Sequence, residues 1–359
     1  MDNDSLQDFV EEVNGGSHLR VEHDYGDGFV RLRTSEAERR QAAQDIQGSE
    51  NIVLELLRNS RDAHASHIFV AIAKEADKRS IVVIDDGDGI PNSMHSLVFE
   101  PRVTSKLDTS HMDAWGLHGR GMALFSISQN SESARVAASA KGMGCSISVQ
   151  TDTRKLGEKT DQSSFPRFLM GENGHVNIRG PRNILRTACE FAIESRATCS
   201  VYVGSPTEIA ATIYAFGNTT LSAIERAFCK DVESLPVAKR LATASDPQDF
   251  ADIAETLGLP LSQRTARRII DGQIADIEPL LDQVKIEQEG GKPAKRKGTR
   301  NAPAHVRMQR SDALQLAASA KESFADFAAR YYLEEDVDPV VRVMRDKVVI
   351  SIPLVEKSE

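Results

Sequence analysis

The sequence predicts an α+β protein: a helix-and-sheet N-terminal domain, then a helical segment and a small α/β C-terminal segment. Three observations carry that expectation. From Asn51 onward, Ile52, Val53, Leu56 and Leu57 recur at the spacing of a core-packed helix. HIFVAIAKE (67–75) and SIVVIDD (80–86) are short β-rich runs separated by a charged turn. After residue 218 the pattern turns helical, and the chain closes on one helix and a pair of strands.

Taken in order, residues 1–34 hold a short acidic helix candidate and then GFVRLRT, which alternates like a strand. Residues 35–48 are polar and favour a helix. Ser49 is the expected N-cap of a helix running to Ala63. The two strands follow, then a loop-rich stretch from Gly87 to Gly121 and a helix beginning at MALFSIS. ARVAASAK and GCSISVQTD read as a hairpin, and residues 152–175 as an exposed polar loop. GHVNIRG, PRNILRTACEFAIES and TCSVYVG read as strand, helix and strand, with Pro181 at the first helical position, where its missing N–H costs nothing. The expected divisions are 1–175, 176–235, a helical segment 236–285, a linker 286–310 and a C-terminal segment 311–359. In the last, Ser311 would cap the helix and a strand pair would turn near Asp346.

Composition sets limits on function. Apolar residues are 40% and charged residues 27% of the chain, as in a soluble globular protein. The net charge of -9 excludes a surface that is basic throughout. The tract from Lys292 to Arg310 nevertheless has seven Lys or Arg and no acid, and reads as a DNA-backbone contact or a soluble linker. Cys145, Cys189, Cys199 and Cys229 form no C-x-x-C pair, so buried free thiols are expected rather than a zinc site. The acidic start, MDNDSLQDFVEEV, has no apolar core of a signal peptide, and no run is long and apolar enough to span a bilayer. A cytoplasmic protein without membrane contact is the expectation.

Three patterns carry chemistry. In ELLRNSRDA, Glu55 and Asn59 are four residues apart and Asp62 is three further on, so a helix places all three on one face. A carboxylate there can orient or deprotonate a water, and an amide oxygen is a hard ligand for Mg²⁺. The same spacing also suits a solvated stripe. In SIVVIDDGDGIP, an apolar strand ends in Asp85, with Gly87 and Gly89 following at alternate positions. A carboxylate at a strand end can accept a hydrogen bond from an exocyclic amine such as that of adenine, and the glycines admit a ring close to the backbone. An ordinary D-G turn has the same appearance. In WGLHGRGMA, Gly116, Gly119 and Gly121 run into a helix start, an arrangement that favours a bound anion such as a triphosphate. The glycines follow a loop rather than a strand, which excludes a Rossmann fingerprint, and no G-K-[ST] of a Walker A motif occurs.

These patterns fall in order within about 70 residues. ELLRNSRDA resembles the N box of the GHKL ATPases, the superfamily of gyrase, heat-shock chaperones, histidine kinases and MutL. DDGDGI resembles their first glycine box, GLHGRGM their second, and FEPRVTSK the stretch before the ATP lid. The resemblance covers roughly residues 30–150. It implies a Bergerat-type helix/sheet sandwich that binds ATP and Mg²⁺ and hydrolyses ATP slowly. By the same resemblance Glu55 positions the attacking water, Asn59 binds Mg²⁺, Asp85 reads the adenine amine and Asp62 is structural or reaches adenine through water. Gly87 and Gly89 shape the adenine pocket, and Gly116, Gly119, Arg120, Gly121 and Met122 surround the phosphates. Thr104 and Lys106 are lid contacts, and Lys292 and Lys347 are candidates for the lysine that reaches the γ-phosphate.

The N box is closer to MutL, the type IIB topoisomerase B subunits and the MORC proteins than to the kinases. Neither His18 nor His23 sits in a phosphoacceptor helix. FADIAETLGLPLSQRTARRIIDG resembles a helix-turn-helix, with Arg264, Arg267 and Arg268 as cations for phosphates, and reads equally as a helical hairpin with a solvated basic face. The implied activity is an ATP-driven switch, homodimeric when ATP-bound, acting on DNA or with a partner subunit. The alternatives are a chaperone- or MORC-like ATPase acting on protein partners, and a two-component-type histidine kinase.

Overall fold

The computed structural model describes residues 21–105, 111–113, 116–118, 121–170, 176–229, 231–288 and 310–330, with short stretches between 334 and 352. The chain divides into two compact units, Met1–Glu287 and Gln288–Glu359.

The first unit opens with β1 (Val21–Gly26) and β2 (Phe29–Leu32), then α1 (Glu36–Asp45) and α2 (Ser49–Asp62). A capping box starts α1: the Ser35 side chain accepts from Glu38 N–H, and Glu38 reaches back to Ser35. The cap of α2 is Gly48, not Ser49. Ser49 is the first helical residue, fully buried, and its hydroxyl has no hydrogen-bond partner among the described residues. Ile52, Val53, Leu56 and Leu57 of α2 are all at most 1% exposed. Each such burial contributes about 1.5–3 kcal/mol, so the helix that carries the predicted site is fixed by its core face.

Next come β3 (His67–Glu75), β4 (Lys78–Asp85), β5 (Val103–Thr104), β6 (His111–Asp113), β7 (Gly116–His118), α3 (Ala123–Gln129), β8 (Ser133–Ser139) and β9 (Cys145–Asp152). Residues 152–175 are more than an exposed loop. Leu156 is buried, and Glu158 accepts from both Arg79 and Lys74. The strand β10 (Arg167–Met170) pairs antiparallel with β11 (Val176–Arg179). The helix α4 (Ile184–Glu194) is capped by Asn183, whose side chain accepts from Arg186 N–H, so Pro181 lies before the helix rather than in its first turn. β12 (Ser200–Gly204), α5 (Pro206–Thr220), α6 (Ala223–Phe228), α7 (Pro247–Thr256), α8 (Gln263–Ile270), α9 (Leu280–Gln283) and β13 (Ile286–Gln288) complete the order.

The central sheet has five strands in the order β12-β3-β4-β9-β8. Three of its pairings are antiparallel, while β12 lies parallel to β3 with Ser200 opposite His67. Alternate residues serve two cores. Ile68, Val70, Ile81, Val83 and Ile147 face α2 and α4, whose Leu56 and Phe191 lie in the same cluster. Phe69, Ala71, Val82 and Ile84 face the other way, toward Ile209 and Ile213 of α5, Leu241, and Phe250 of α7. In β8 an irregularity between Val136 and Ala138 moves Ala138 to that second face. The α+β architecture is as expected. The helical stretch, which the sequence places after the domain, covers the second face of the sheet as a third layer, within the same compact unit through Glu287.

The α7/α8 pair forms where a helix-turn-helix was anticipated. Its apolar residues, including Phe250, Ile253, Leu257, Ala266 and Ile269, pack into the second core, and Ser146 Oγ donates to Leu257 O. Arg264, Arg267 and Arg268 remain exposed on α8. In the second unit, α10 (Arg310–Arg330) and the antiparallel pair β14 (Val340–Val343) and β15 (Val348–Ser351) are described. The basic tract between 289 and 309 and the turn near Asp346 lie outside the described residues.

Phe250 tests whether the outer helices and the sheet are one cooperative body. Phe250→Ala removes a fully buried ring and should cost about 3–5 kcal/mol. Thermal unfolding followed by circular dichroism should show one transition of the first unit moved to lower temperature. A separate early transition, with the rest of that unit unmoved, would contradict the shared core.

Candidate functional site

A cavity of about 490 Å³ opens between α2, the end of β4 and the chain around residues 103–105 and 121–126. Its volume lies in the range of small-molecule sites. From α2, Asn51, Glu55, Asn59 and Asp62 line it, a run at helical spacing along one face. The opposite face of the helix is the buried apolar stripe, so packing alone aims these polar side chains into the cavity. Asn59 is half-buried, and its Nδ2 has no hydrogen-bond partner among the described residues. A buried, unsatisfied amide is costly, and its position in the cavity wall fits a group that a ligand completes.

Arg58 reaches Glu55 from within the same helix. Its Nη1 donates to Glu55 Oε1 over 2.6 Å, with Arg58 7% and Glu55 22% exposed. Asp62 pairs with Arg61, which lies 5.7 Å from the centre of the Phe191 ring. Asp62 is therefore both a wall residue and a link between α2 and α4.

Asp85 ends β4 and is 5% exposed. Ser60 Oγ donates to its Oδ2 over 2.7 Å and Gly87 N–H donates to Oδ1 over 3.0 Å. Burial pushes the carboxyl up to about 6, and these two hydrogen bonds hold the rise in check. Cys145, opposite Asp85 on β9, also lines the cavity, and burial raises its thiol far above the ordinary range. It is a small protonated wall residue rather than a nucleophile.

The two glycines after Asp85 are required by close approach. A Cβ on Gly87 would stand 2.4 Å from Ala63 O, and one on Gly89, at φ +70°, 2.0 Å from Ala140 O. Gly87 thereby packs the end of β4 against the end of α2, and Gly89 lines the cavity itself.

Thr104, Gly121 and Met122 border the cavity from the two ends of the glycine-rich segment. Those ends touch: a Cβ on Gly121 would be 3.1 Å from Thr104 Cβ and 3.3 Å from Arg102 Cα. Arg102 adopts φ 55°, a strained conformation for a side chain of that size, and it donates to Arg33 O and to the Glu38 carboxylate. The base of the segment is thus pinned to the start of α1. Gly116 lies on the β6/β7 hairpin. Lys106, Gly119 and Arg120 lie outside the described residues, as do Lys292 and Lys347.

The structure therefore brings Glu55, Asn59, Asp62, Asp85, Gly89, Thr104, Gly121 and Met122 to one cavity. Asn51, Ser60 and Cys145 were not anticipated. Asn51 continues the i, i+4 series back from Glu55, a signal present in the sequence. Ser60 and Cys145 reach the site through tertiary pairing, which no local pattern announces. Among the described residues no cluster of three or more His, Cys, Asp or Glu side chains is arranged to hold a metal, and no helix is long and apolar enough to cross a membrane.

Comparison with known proteins agrees with this geometry. The family described as "Histidine kinase-, DNA gyrase B-, and HSP90-like ATPase" matches residues 44–164. The DNA mismatch repair protein MutL of Parabacteroides distasonis is 44% identical over 89 residues, 24% of this chain and 14% of that protein. MutL of Staphylococcus aureus strain Newman is 35% identical over 99 residues, 26% of this chain and 15% of that protein. The alignments thus cover under a sixth of these relatives' length. The cavity, its three motifs and these matches identify the N-terminal part of the chain as a GHKL-superfamily ATPase domain of the MutL branch.

Proposed function

We propose that the chain binds Mg·ATP in the cavity between α2 and β4 and hydrolyses it slowly, driving a conformational and dimerisation switch in a DNA transaction. The observation that carries this reading is the convergence on one cavity of a buried strand-end carboxylate, Asp85, and an amide-and-carboxylate face, Asn59 and Glu55. Asp85 accepts from the adenine amine, and Gly89 lines the wall beside it. The Asn59 side-chain oxygen holds Mg²⁺, which neutralises charge on the phosphates when bound. Glu55 orients the attacking water through its carboxylate. Thr104, Gly121 and Met122 lie at the base of a lid, with Lys106, Gly119 and Arg120 as further phosphate contacts. Closure of that lid is the slow step, as in switches whose turnover is limited by conformational change.

Two observations support DNA as the macromolecular partner. The relatives matched are named as DNA mismatch repair proteins, and α8 exposes Arg264, Arg267 and Arg268 on the side away from its buried Ala266 and Ile269. DNA retention should weaken steeply with salt, and replacing the three arginines with alanine should abolish it. Retention that ignores both salt and these substitutions would favour a protein client instead.

The site assignment is tested by equilibrium binding and turnover with Mg²⁺. Glu55→Ala should bind ATP and lose roughly 10²–10⁴-fold in kcat. Asp85→Asn should weaken ATP binding by about tenfold or more, because its amide presents a donor where the carboxylate presented an acceptor. Wild-type protein that binds no ATP would sink the reading.

The Asp85 carboxyl also predicts a pH dependence. The ionised form is the acceptor, and it prevails above about 6. ADP affinity should be full near neutral pH and fall as the pH drops through 6, by up to about tenfold per unit. Fluorescence titration with a labelled ADP checks this, and a flat profile between pH 5 and 7.5 would remove Asp85 from adenine recognition.

A further inference from the structure

We propose that Arg58 is a built-in brake on ATP hydrolysis, acting through Glu55; the inference rests on the ATPase reading above and deepens it. Arg58 Nη1 lies 2.6 Å from Glu55 Oε1. The two residues are three apart on α2, whose register is fixed by Ile52, Val53, Leu56 and Leu57. The contact is therefore set by the helix itself and does not wait for a ligand or for the lid. The guanidinium is nearly buried while the carboxylate lines the cavity, so Arg58 holds Glu55 from the core side.

The chemistry makes this pairing consequential. In hydrolysis the water oxygen bonds to the γ-phosphorus, and the bond to the β–γ bridging oxygen breaks with its electron pair leaving on ADP. The water proton moves toward Glu55 and then to the phosphate released. Arg58 competes for that carboxylate. Its hydrogen occupies lone pairs on Oε1 that water would otherwise use, and the charge-assisted bond restrains the carboxylate from turning toward that water. A short charge-assisted contact in a partly buried setting is not screened away by solvent. The enzyme can thus hold ATP in place with its water-orienting group restrained, which lengthens the ATP-bound state of a switch. Arg58 touches neither substrate nor water in this account and is a positioning residue.

Single-turnover hydrolysis separates this from slow product release. Arg58→Gln keeps a hydrogen-bond donor near Glu55 and removes the charge. Its hydrolysis rate should rise by roughly tenfold, while the Kd for ATP stays within about threefold of wild type. The gain should vanish when Glu55→Gln is added, as a double-mutant cycle requires. A merely structural role for Arg58 predicts no such split between rate and affinity. An equal or lower rate with intact affinity overturns the proposal, as does a gain that persists without the Glu55 carboxylate. If Arg58→Gln loses cooperative unfolding, Arg58→Lys carries the test. It keeps the charge but loses the planar fork, and should give a rise of about two- to threefold. No rise in that variant at unchanged ATP affinity would likewise overturn the brake. Failure of the wild type to bind ATP is a different result, which removes the ATPase reading and this inference with it.

Discussion

The hydrogen bond from Ser60 Oγ to Asp85 Oδ2 joins the two halves of the site. Ser60 follows Asn59 directly on α2, and Asp85 closes β4. A single step along the helix thus sends one side chain into the cavity wall and the next onto the strand-end carboxylate. A buried carboxylate needs donors to remain usable as an acceptor, and Ser60 and Gly87 supply them. The spacing between the polar face of α2 and the Asp85 carboxylate is therefore set by contacts within the fold. Packing of Gly87 against Ala63 O secures the same junction from the backbone side.

Much of this was legible because the signals are local. The Glu55/Asn59/Asp62 face follows from helical spacing, and the position of Asp85 follows from an apolar run that stops at an acid. The continuous apolar runs FVAI and IVVI carry a further message: a strand with no polar alternate is covered on both faces. Helical coverage of the second face follows from that rule, although the sequence alone suggested a separate segment after the domain. Other features depend on partners far away in the chain. The parallel placement of β12 beside β3 pairs residues more than 130 positions apart. Leu156 and Glu158 lie in a polar stretch whose role appears only when Arg79 and Lys74 meet it. The choice of Gly48 over Ser49 as a cap was decided by burial of Ser49, a tertiary constraint that overrides cap preference.

The glycine-rich segment that borders the cavity is rigidly anchored at its base. Its two ends meet at Thr104 and Gly121, and Arg102 beside them is held in a left-handed conformation by Arg33 O and Glu38. The Glu38 carboxylate also completes the capping box of α1 with Ser35. Displacing Arg102 would therefore disturb a helix start as well as a loop. Together with the Arg58–Glu55 pair on α2, the site has its restraints built into the scaffold on both sides of the cavity.

The two-faced sheet separates the unit of kinship from the unit of folding. The family match ends at residue 164. A polypeptide that stopped there would lack β12, α4 and every outer helix. Phe69, Ala71, Val82 and Ile84 would then face water on one side, and Leu56 and Ile68 would lose Phe191 on the other. The cavity is held by a sheet that depends on the helices after the matched segment. A fragment cut at the boundary of the matched segment would expose apolar surface on both faces of its sheet.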